Sequence, residues 1–262
     1  MANCRLMAES RTEELETIFE QVVSDELARN DGINEYSRQF ARGRLNEGRQ
    51  IAGFLLPRFT RRPIRLLDLG AGNGGVGAAL TGDGTYRVTA VDVVLNAQVV
   101  RLRQAGIALP YVVSDGESLP FVSESFEVVL CLETIEHVHE PSTLGREIMR
   151  VLAPGGLCMI TTPARLRHLL SRDPHYGIPG LLALPDPLQR IVGQCVLGGR
   201  AHYDVEHIFW HVRGIARHFP GRSRVETLVN IPYPGIPRTI PQILWVLFRS
   251  VLWDRILVHK SE

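Results

Sequence analysis

No run of apolar residues in this 262-residue sequence is long enough to span a bilayer; Ile243–Phe248 and Val251–Trp253 come closest and are interrupted by Arg249 and Ser250. A spanning helix is thereby excluded, and peripheral contact with a membrane stays open. Cysteine is sparse: Cys4, Cys131, Cys158 and Cys195 stand far apart, with neither a Cys-x-x-Cys pair nor the compact spacing of a disulfide framework. Between Met1 and Glu20, Arg and Glu recur and no apolar run could serve as a secretion signal. Together these absences set the expectation of a cytoplasmic protein in a reducing compartment. Charge of one sign is also lacking: 29 Lys plus Arg against 28 Asp plus Glu leave a net charge of +1. No global field is available to hold a polyanion, so a long nucleic acid is not the expected partner. Internal repeats and low-complexity tracts are missing as well.

What is present is the composition of an ordinary globular domain, 45% apolar and 22% charged. One domain over 1–262 is expected, opening with helices over 12–29 and 38–56, where Leu15, Ile18, Phe19, Val22 and Val23 recur at helical spacing. Pro57 and Pro63 close that region, 1–60 in round terms. From Arg65 short apolar runs alternate with helical stretches, the pattern of a parallel sheet with crossover helices. The pattern predicts strands near 65–70, 86–92, 110–114, 126–132 and 156–162, with helices near 74–81, 95–105 and 142–152. A core over 65–162 is then followed by a segment at 163–203, rich in Pro, Gly, Leu and Arg, that reads as a cap with short helices of its own. The C-terminal part, 204–262, is expected to add a helix near 206–218, a strand near 224–231, a helix near 240–252 and a strand near 254–260.

The strongest motif is Leu66-Leu67-Asp68-Leu69-Gly70-Ala71-Gly72-Asn73-Gly74-Gly75-Val76-Gly77, an apolar strand running into a glycine-rich turn and a helix. Glycines there let the backbone bend sharply and approach a ligand with no Cβ in the way. Gly70-x-Gly72-x-x-Gly75 alone also fits a dinucleotide site. Asp68 argues otherwise: a carboxylate just before the turn opposes a pyrophosphate and suits a cationic ligand such as an amino-acid ammonium group. The second strand ends in Val91-Asp92, whose carboxylate can accept both hydroxyls of a ribose, and Ser114-Asp115-Gly116 after the third offers partners for an adenine amino group.

In these residues the segment Arg65–Thr162 resembles the class I S-adenosylmethionine-dependent methyltransferases. Leu119-Pro120-Phe121, Ser125-Phe126-Glu127-Val128-Val129 and Arg150-Val151-Leu152-Ala153-Pro154-Gly155-Gly156 are similar too. The resemblance covers roughly the middle 40% of the chain closely. It implies an α/β, Rossmann-like seven-stranded sheet with helices on both faces, N-terminal helices, a cap inserted after strand 5, and a last strand antiparallel beside the fifth. It also implies S-adenosylmethionine as cofactor, held by Asp68, Gly70, Ala71, Gly72, Asn73, Asp92, Val93, Asp115, Gly116, Glu117 and Leu132.

After the fourth predicted strand comes Leu132-Glu133-Thr134-Ile135-Glu136-His137-Val138-His139. Were the chain to turn helically after Glu133, then Glu136 and His137, three and four residues on, would share its side. Two carboxylates and an imidazole could converge on one divalent cation. Glu-x-x-Glu-His is similar to metal-dependent O-methyltransferases of ubiquinone biosynthesis and to small-RNA 2′-O-methyltransferases, and His207 in His207-Ile208-Phe209-Trp210 stands where the RNA enzymes carry a further histidine. By that resemblance Glu133, Glu136, His137 and His207 would hold Mg²⁺ or another divalent metal, which would lower the pKa of an acceptor hydroxyl. The other reading has no metal: the glutamate caps a helix and His137 or His207 acts as base toward the acceptor, with Glu136 kept among the catalytic candidates. His139 reads as a solvated residue at a helix start.

Arg165, Arg167, His168, Arg172, Asp173, His175 and Tyr176 in the cap could grip a phosphate, carboxylate or sugar, or form a solvated face. Trp245, Phe248 and Trp253 mark a helix packed on the sheet or at a dimer interface, or alternatively an entrance touching a bilayer for a lipid-like acceptor. The expected activity is O-methylation of a small-molecule, sugar or lipid-like hydroxyl. Methyl transfer to nitrogen or carbon, and a non-catalytic cofactor-binding regulator, are the alternatives.

Overall fold

The computed structural model describes residues 2–29, 35–82, 84–163, 165, 178, 180–181, 184–197, 206–207, 209, 212–221, 223–227 and 255–261. The expected helix at 240–252 and most of the cap, including Arg167, His168, Arg172, Asp173, His175 and Tyr176, lie outside them. Seven strands form one sheet: β1 (Ile64–Leu69), β2 (Tyr86–Asp92), β3 (Tyr111–Val113), β4 (Phe126–Leu132), β5 (Leu152–Thr161), β6 (Ser223–Thr227) and β7 (Arg255–Lys260), in the order β3-β2-β1-β4-β5-β7-β6. Backbone contacts divide the chain into two compact units, Met1–Leu130 and Cys131–Glu262.

In the first unit β1, β2 and β3 run parallel, Leu67 pairing with Thr89 and Val91 with Val112. β1 is buried at five of its six positions, Asp68 among them, so it lacks the apolar–polar alternation of a strand with one face in water. Helices α1 (Ala2–Arg29) and α2 (Glu35–Leu55) cover the stretches expected at 12–29 and 38–56, but α1 begins ten residues earlier than the apolar spacing indicated. Phe19, Val22 and Val23 of α1 pack with Leu45, Ala78 and Leu102. Each fully buried side chain of this size contributes roughly 1.5–3 kcal/mol. Two further helices, α3 (Gly75–Leu80) and α4 (Ala97–Gln104), complete the unit; the Asn96 side chain caps α4 by accepting from the Gln98 amide at 2.8 Å. α2 lies tightly on α3, because a Cβ at Gly48 would come within 2.7 Å of both the Ala79 Cβ and the Val76 carbonyl.

In the second unit β7 pairs antiparallel with both β5 and β6, as the resemblance implied for the last strand. Helix α5 (Pro141–Val151) opens with proline at its first turn, and the Glu140 carboxylate accepts from the Ser142 amide at 3.1 Å. Leu144, Ile148 and Val151 bury its apolar face. A sixth helix, α6 (Asp186–Leu197), lies inside the segment read as a cap. Residues 206–218 do not make the single helix expected. Glu206 and His207 donate their backbone N–H groups to the Glu136 carbonyl at 2.9 and 3.0 Å, and Phe209 accepts from the Arg165 amide at 2.9 Å. These tertiary bonds hold the segment's start out of helical geometry, and only a 3-10 turn over Val212–His218 follows. Of the strand expected at 224–231, Ser223–Thr227 is described.

Candidate functional site

The glycine loop leaves β1 with Gly70, Gly72 and Gly74 at φ of 75°, 54° and 77°, values that strain any residue with a side chain. At Gly72 nothing lies within 4 Å of where a Cβ would sit, so backbone conformation and open space, not packing, call for glycine there. The loop is anchored on β2: the Gly70 and Ala71 amides donate to the Val91 carbonyl at 2.8 and 3.0 Å. Gly72 donates to Oδ2 of Asp92 at 2.8 Å, while Oδ1 of Asp92 accepts from the Val93 amide at 2.8 Å. Each carboxylate oxygen has a second lone pair, so Asp92 can brace the loop and still accept hydroxyls from a ligand. Asn73 serves the loop itself: its Oδ1 accepts from Gly75, and its Nδ2 donates to the Ala41 carbonyl of α2, both at 3.0 Å.

Asp68 lies under this loop at 1% exposure, and neither of its oxygens has a hydrogen-bond partner among the described residues. Burial pushes its carboxyl up to about 6; the Arg44 guanidinium pulls the other way, Glu47 and Asp92 add to the rise, and the Gly77 amide, near the carboxyl but outside hydrogen-bonding geometry, opposes it. Leaving a carboxylate desolvated and without a donor is costly. A cationic ligand group is what such a site lacks. Arg44, buried at 6% and paired with Glu47 at 2.7 Å, carries no signal in sequence spacing, because α2 brings it in from 24 residues away.

The third acid, Asp115, is exposed; its Oδ1 accepts from the Glu117 amide at 2.8 Å and its carbonyl accepts from Ser118 at 3.1 Å. This turn presents Gly116 and Glu117 beside it. Val93, Val94 and Leu95 follow Asp92 as exposed apolar residues, at 63%, 62% and 48%. Tyr111 holds them from below, its hydroxyl donating to the Val94 carbonyl at 2.6 Å. Burial, with the Asp92 charge adding to it, raises the Tyr111 phenol to about 12, so the hydroxyl keeps its proton and stays a donor. Sequence reasoning missed Tyr111; a tyrosine opening a strand carries no mark of that contact.

In the second unit β4 ends at Leu132, a buried strand residue, and Glu133 takes φ 54°. A left-handed glutamate is strained, and such positions concentrate at functional sites. It is locked there by its own amide, which donates to both the carbonyl and Oγ1 of Thr161 at 3.0 Å. Only a turn follows, with His137 N–H donating to Thr134 at 3.0 Å; helix begins later, at Pro141. The helical continuation that would have put Glu133, Glu136 and His137 on one side is therefore not formed.

Glu136 is 1% exposed and its Oε2 accepts from the Thr162 hydroxyl at 3.0 Å. Its other oxygen, Oε1, lies 4.0 Å from Nε2 of His137, whose side chain is about a third exposed. His207 faces the backbone: its Nε2 sits 3.0 Å from the His139 carbonyl, which can only accept, so that nitrogen carries the proton. His139, nearly fully exposed, meets the Glu206 carboxylate at 3.3 Å. Residues 206 and 207 thus hold the 136–139 turn at three groups, the Glu136 carbonyl, the His139 carbonyl and the His139 ring. No group of three or more His, Cys, Asp or Glu side chains among the described residues could hold a metal ion. Glu133, Glu136, His137 and His207 do not fit the metal group that spacing suggested, since a left-handed residue, a threonine hydroxyl and a carbonyl have drawn them to separate tasks.

Residues 67–160 match the family model described as a methyltransferase domain. The chain is 37% identical over 120 residues to the ubiquinone biosynthesis O-methyltransferase of Ruegeria pomeroyi, covering 44% of this chain and 48% of that protein. It is 38% identical over 103 residues to the demethylmenaquinone methyltransferase of Clavibacter sepedonicus, covering 38% and 42%. The chain thus spans less than half the length of the curated relatives it matches. Among solved structures it resembles a protein from Pyrococcus horikoshii (TM-score 0.52, 18% identity, 90% of this chain and 96% of that one). It also resembles phosphoethanolamine N-methyltransferase 2 of Haemonchus contortus bound to S-adenosyl-L-methionine (TM-score 0.50, 18% identity, 83% and 53%). At such identities these likenesses speak for the fold alone.

Proposed function

We propose that this chain carries a class I S-adenosylmethionine-dependent methyltransferase domain, in keeping with the family model that residues 67–160 match, and that it transfers the cofactor's methyl group to an acceptor hydroxyl of the phenolic kind found on quinol-type rings. The observation that carries the reading is Asp68: a buried carboxylate that meets no hydrogen-bond donor among the described residues, under a loop of left-handed glycines, suits the ammonium of an amino-acid-bearing nucleoside and repels a pyrophosphate. Asp92 would take the ribose hydroxyls, and Asp115 with Gly116 the adenine amino group. The ring class draws support from the names of the two curated relatives, both of which refer to quinone-type compounds, and the oxygen acceptor from the first of them alone.

When bound, the sulfonium supplies an electrophilic methyl. What the chain must supply is alignment and a place for the hydroxyl proton. His137, partly exposed at the end of the β4 turn, is the base in this reading, and the buried Glu136 stabilises the imidazolium that forms. His207, through the backbone of the turn, holds both in place. No step is assigned to a metal.

The test is mass spectrometry of a prenylated catechol incubated with the protein and methyl-deuterated S-adenosylmethionine. One labelled methyl on oxygen, with equimolar S-adenosylhomocysteine, is the expected product. Label on a ring carbon would convert the reading to C-methylation. Calorimetric binding of the cofactor without any S-adenosylhomocysteine would make the chain a cofactor-binding regulator.

A further inference from the structure

Thr162 belongs to none of the motifs discussed so far. It follows the last residue of β5, is fully buried, and donates its hydroxyl to a carboxylate that is itself buried at 1% exposure. A buried carboxylate without a donor swings to find one; with a donor at 3.0 Å on Oε2, its plane is fixed and Oε1 is directed to one place. That place is the side of the turn where Nε2 of His137 lies, 4.0 Å off. At that distance a small rotation of the ring closes a hydrogen bond, and because the carboxylate oxygen can only accept, the bond needs Nε2–H on the neutral ring and grows stronger once the ring is charged. The backbone of the same turn is fixed independently by Glu206 and His207 on the Glu136 carbonyl, and by Thr161 on Glu133. Adjacent threonines therefore divide the work: Thr161 sets the turn's backbone, and Thr162 sets the carboxylate inside it.

We propose that Thr162 is a positioning residue for the transfer, acting through Glu136 to keep Nε2 of His137 as the protonated nitrogen and to leave Nδ1 to receive the acceptor's proton. This rests on the reading of His137 as base given above. In the step itself the acceptor O–H bond breaks, its proton goes to Nδ1, the oxygen's electron pair forms the new O–C bond, and the C–S bond breaks with its electrons left on sulfur. Thr162 touches neither reactant, so its effect is one of orientation and belongs in kcat rather than in cofactor affinity.

The variants are Thr162→Val, which keeps the shape and removes the hydroxyl, and Thr162→Ser, which keeps the hydroxyl and removes a methyl. Long-range ¹⁵N–¹H spectra of the histidine rings, with His137 assigned through His137→Gln, read the tautomer without any acceptor. Wild type and Thr162→Ser should show the Nε2–H form of His137, and Thr162→Val a mixture. With the prenylated catechol as probe, kcat of Thr162→Val should fall roughly tenfold or more, with unchanged calorimetric affinity for S-adenosylmethionine, and Thr162→Ser should recover most of it. A His137 spectrum unmoved in Thr162→Val, in protein whose thermal midpoint shows it folded, overturns the proposal. A spectral change in a protein that methylates nothing keeps the positioning role and overturns the methyltransferase reading instead.

Discussion

The glycine loop of the first unit and the turn after β4 in the second make their functional groups ready in opposite ways. Around the loop, the key carboxylate of Asp68 is buried without a hydrogen bond from any of the described residues, and in the proposed reading a ligand's ammonium supplies one. Around the turn, the key carboxylate of Glu136 is bonded by Thr162, and its backbone carbonyl takes two further N–H groups. A site that must capture a charged molecule gains from an unmet need, whereas one that must handle a proton gains from a fixed geometry.

Removing the charge at Asp68 should break this contrast most sharply. Asp68→Asn should lower calorimetric affinity for S-adenosylmethionine on the order of 100-fold, since hydrogen bonds to charged partners each count for about 1.5–3 kcal/mol. The same change should stabilise the ligand-free protein at pH 8. The folded carboxyl titrates at about 6 against an ordinary 3.8, so the folded state holds its proton more tightly than the unfolded chain. Stability from this group is greatest below 3.8, falls as pH rises to about 6, and stays low above; the full difference is on the order of 3 kcal/mol. Denaturant melts of wild type and Asp68→Asn at pH 5 and pH 8 decide the matter: a variant that loses affinity and stability alike would mean that Asp68 is structural. Asp92→Ala should cost comparable affinity with no gain in stability, because it also releases the Gly72 and Val93 amides.

A smaller effect follows from the same carboxyl. Cofactor affinity should be level between about pH 6.5 and 7.5, where the carboxyl is ionised and the ligand's ammonium still charged, and weaken about tenfold per unit below about pH 6, as the ammonium must then displace a proton. Calorimetry near pH 6 in buffers of different ionisation enthalpy should register that proton leaving. Heats independent of buffer would contradict it.

How much of this was legible in the sequence differs between the two regions for a physical reason. Strand-turn-helix chemistry is local: Gly70, Gly72 and Asp92 announce their roles through residue type and spacing, and β2 and β4 fall on the predicted residues. The turn after β4 depends on contacts between residues far apart in the chain. Thr161 and Thr162 reach it from 26 to 28 residues away and His207 from 68, and neither a left-handed Glu133 nor a threonine beside a glutamate has a periodic signature. Reading Glu-x-x-Glu-His as helical was reasonable on spacing, and tertiary bonds overrode it. Gly145 is a further case. It stands inside α5, where helix propensity alone favours alanine, yet a Cβ there would run into the His218 carbonyl oxygen. Gly145→Ala should cost about 1–3 kcal/mol by denaturant melt, a penalty for overpacking where helix propensity alone predicts a gain.

The smallest expected effect comes from removing divalent metal, and it bears on the comparison because it asks whether the second unit's groups also await a ligand. A cation at this turn would need two carboxylates and a ring nitrogen converging with lone pairs directed at it. Glu133 leaves β4 in a left-handed conformation that breaks the helical spacing. Oε2 of Glu136 is already accepting from Thr162, and Nε2 of His207 presents a proton, not a lone pair, toward the His139 carbonyl. To assemble the group, the turn would have to give up the Thr162 bond and the His207 contact together, at roughly 0.5–1.5 kcal/mol each and more for the charged one. Dialysis against EDTA should therefore leave methyl transfer within about twofold of its starting rate, and added Mg²⁺ or Mn²⁺ should change little. A rate lost to EDTA and restored by Mn²⁺, with histidine signals of His137 and His207 broadened by the paramagnetic ion, would show that the turn rearranges around a metal and that both units are built to capture a ligand.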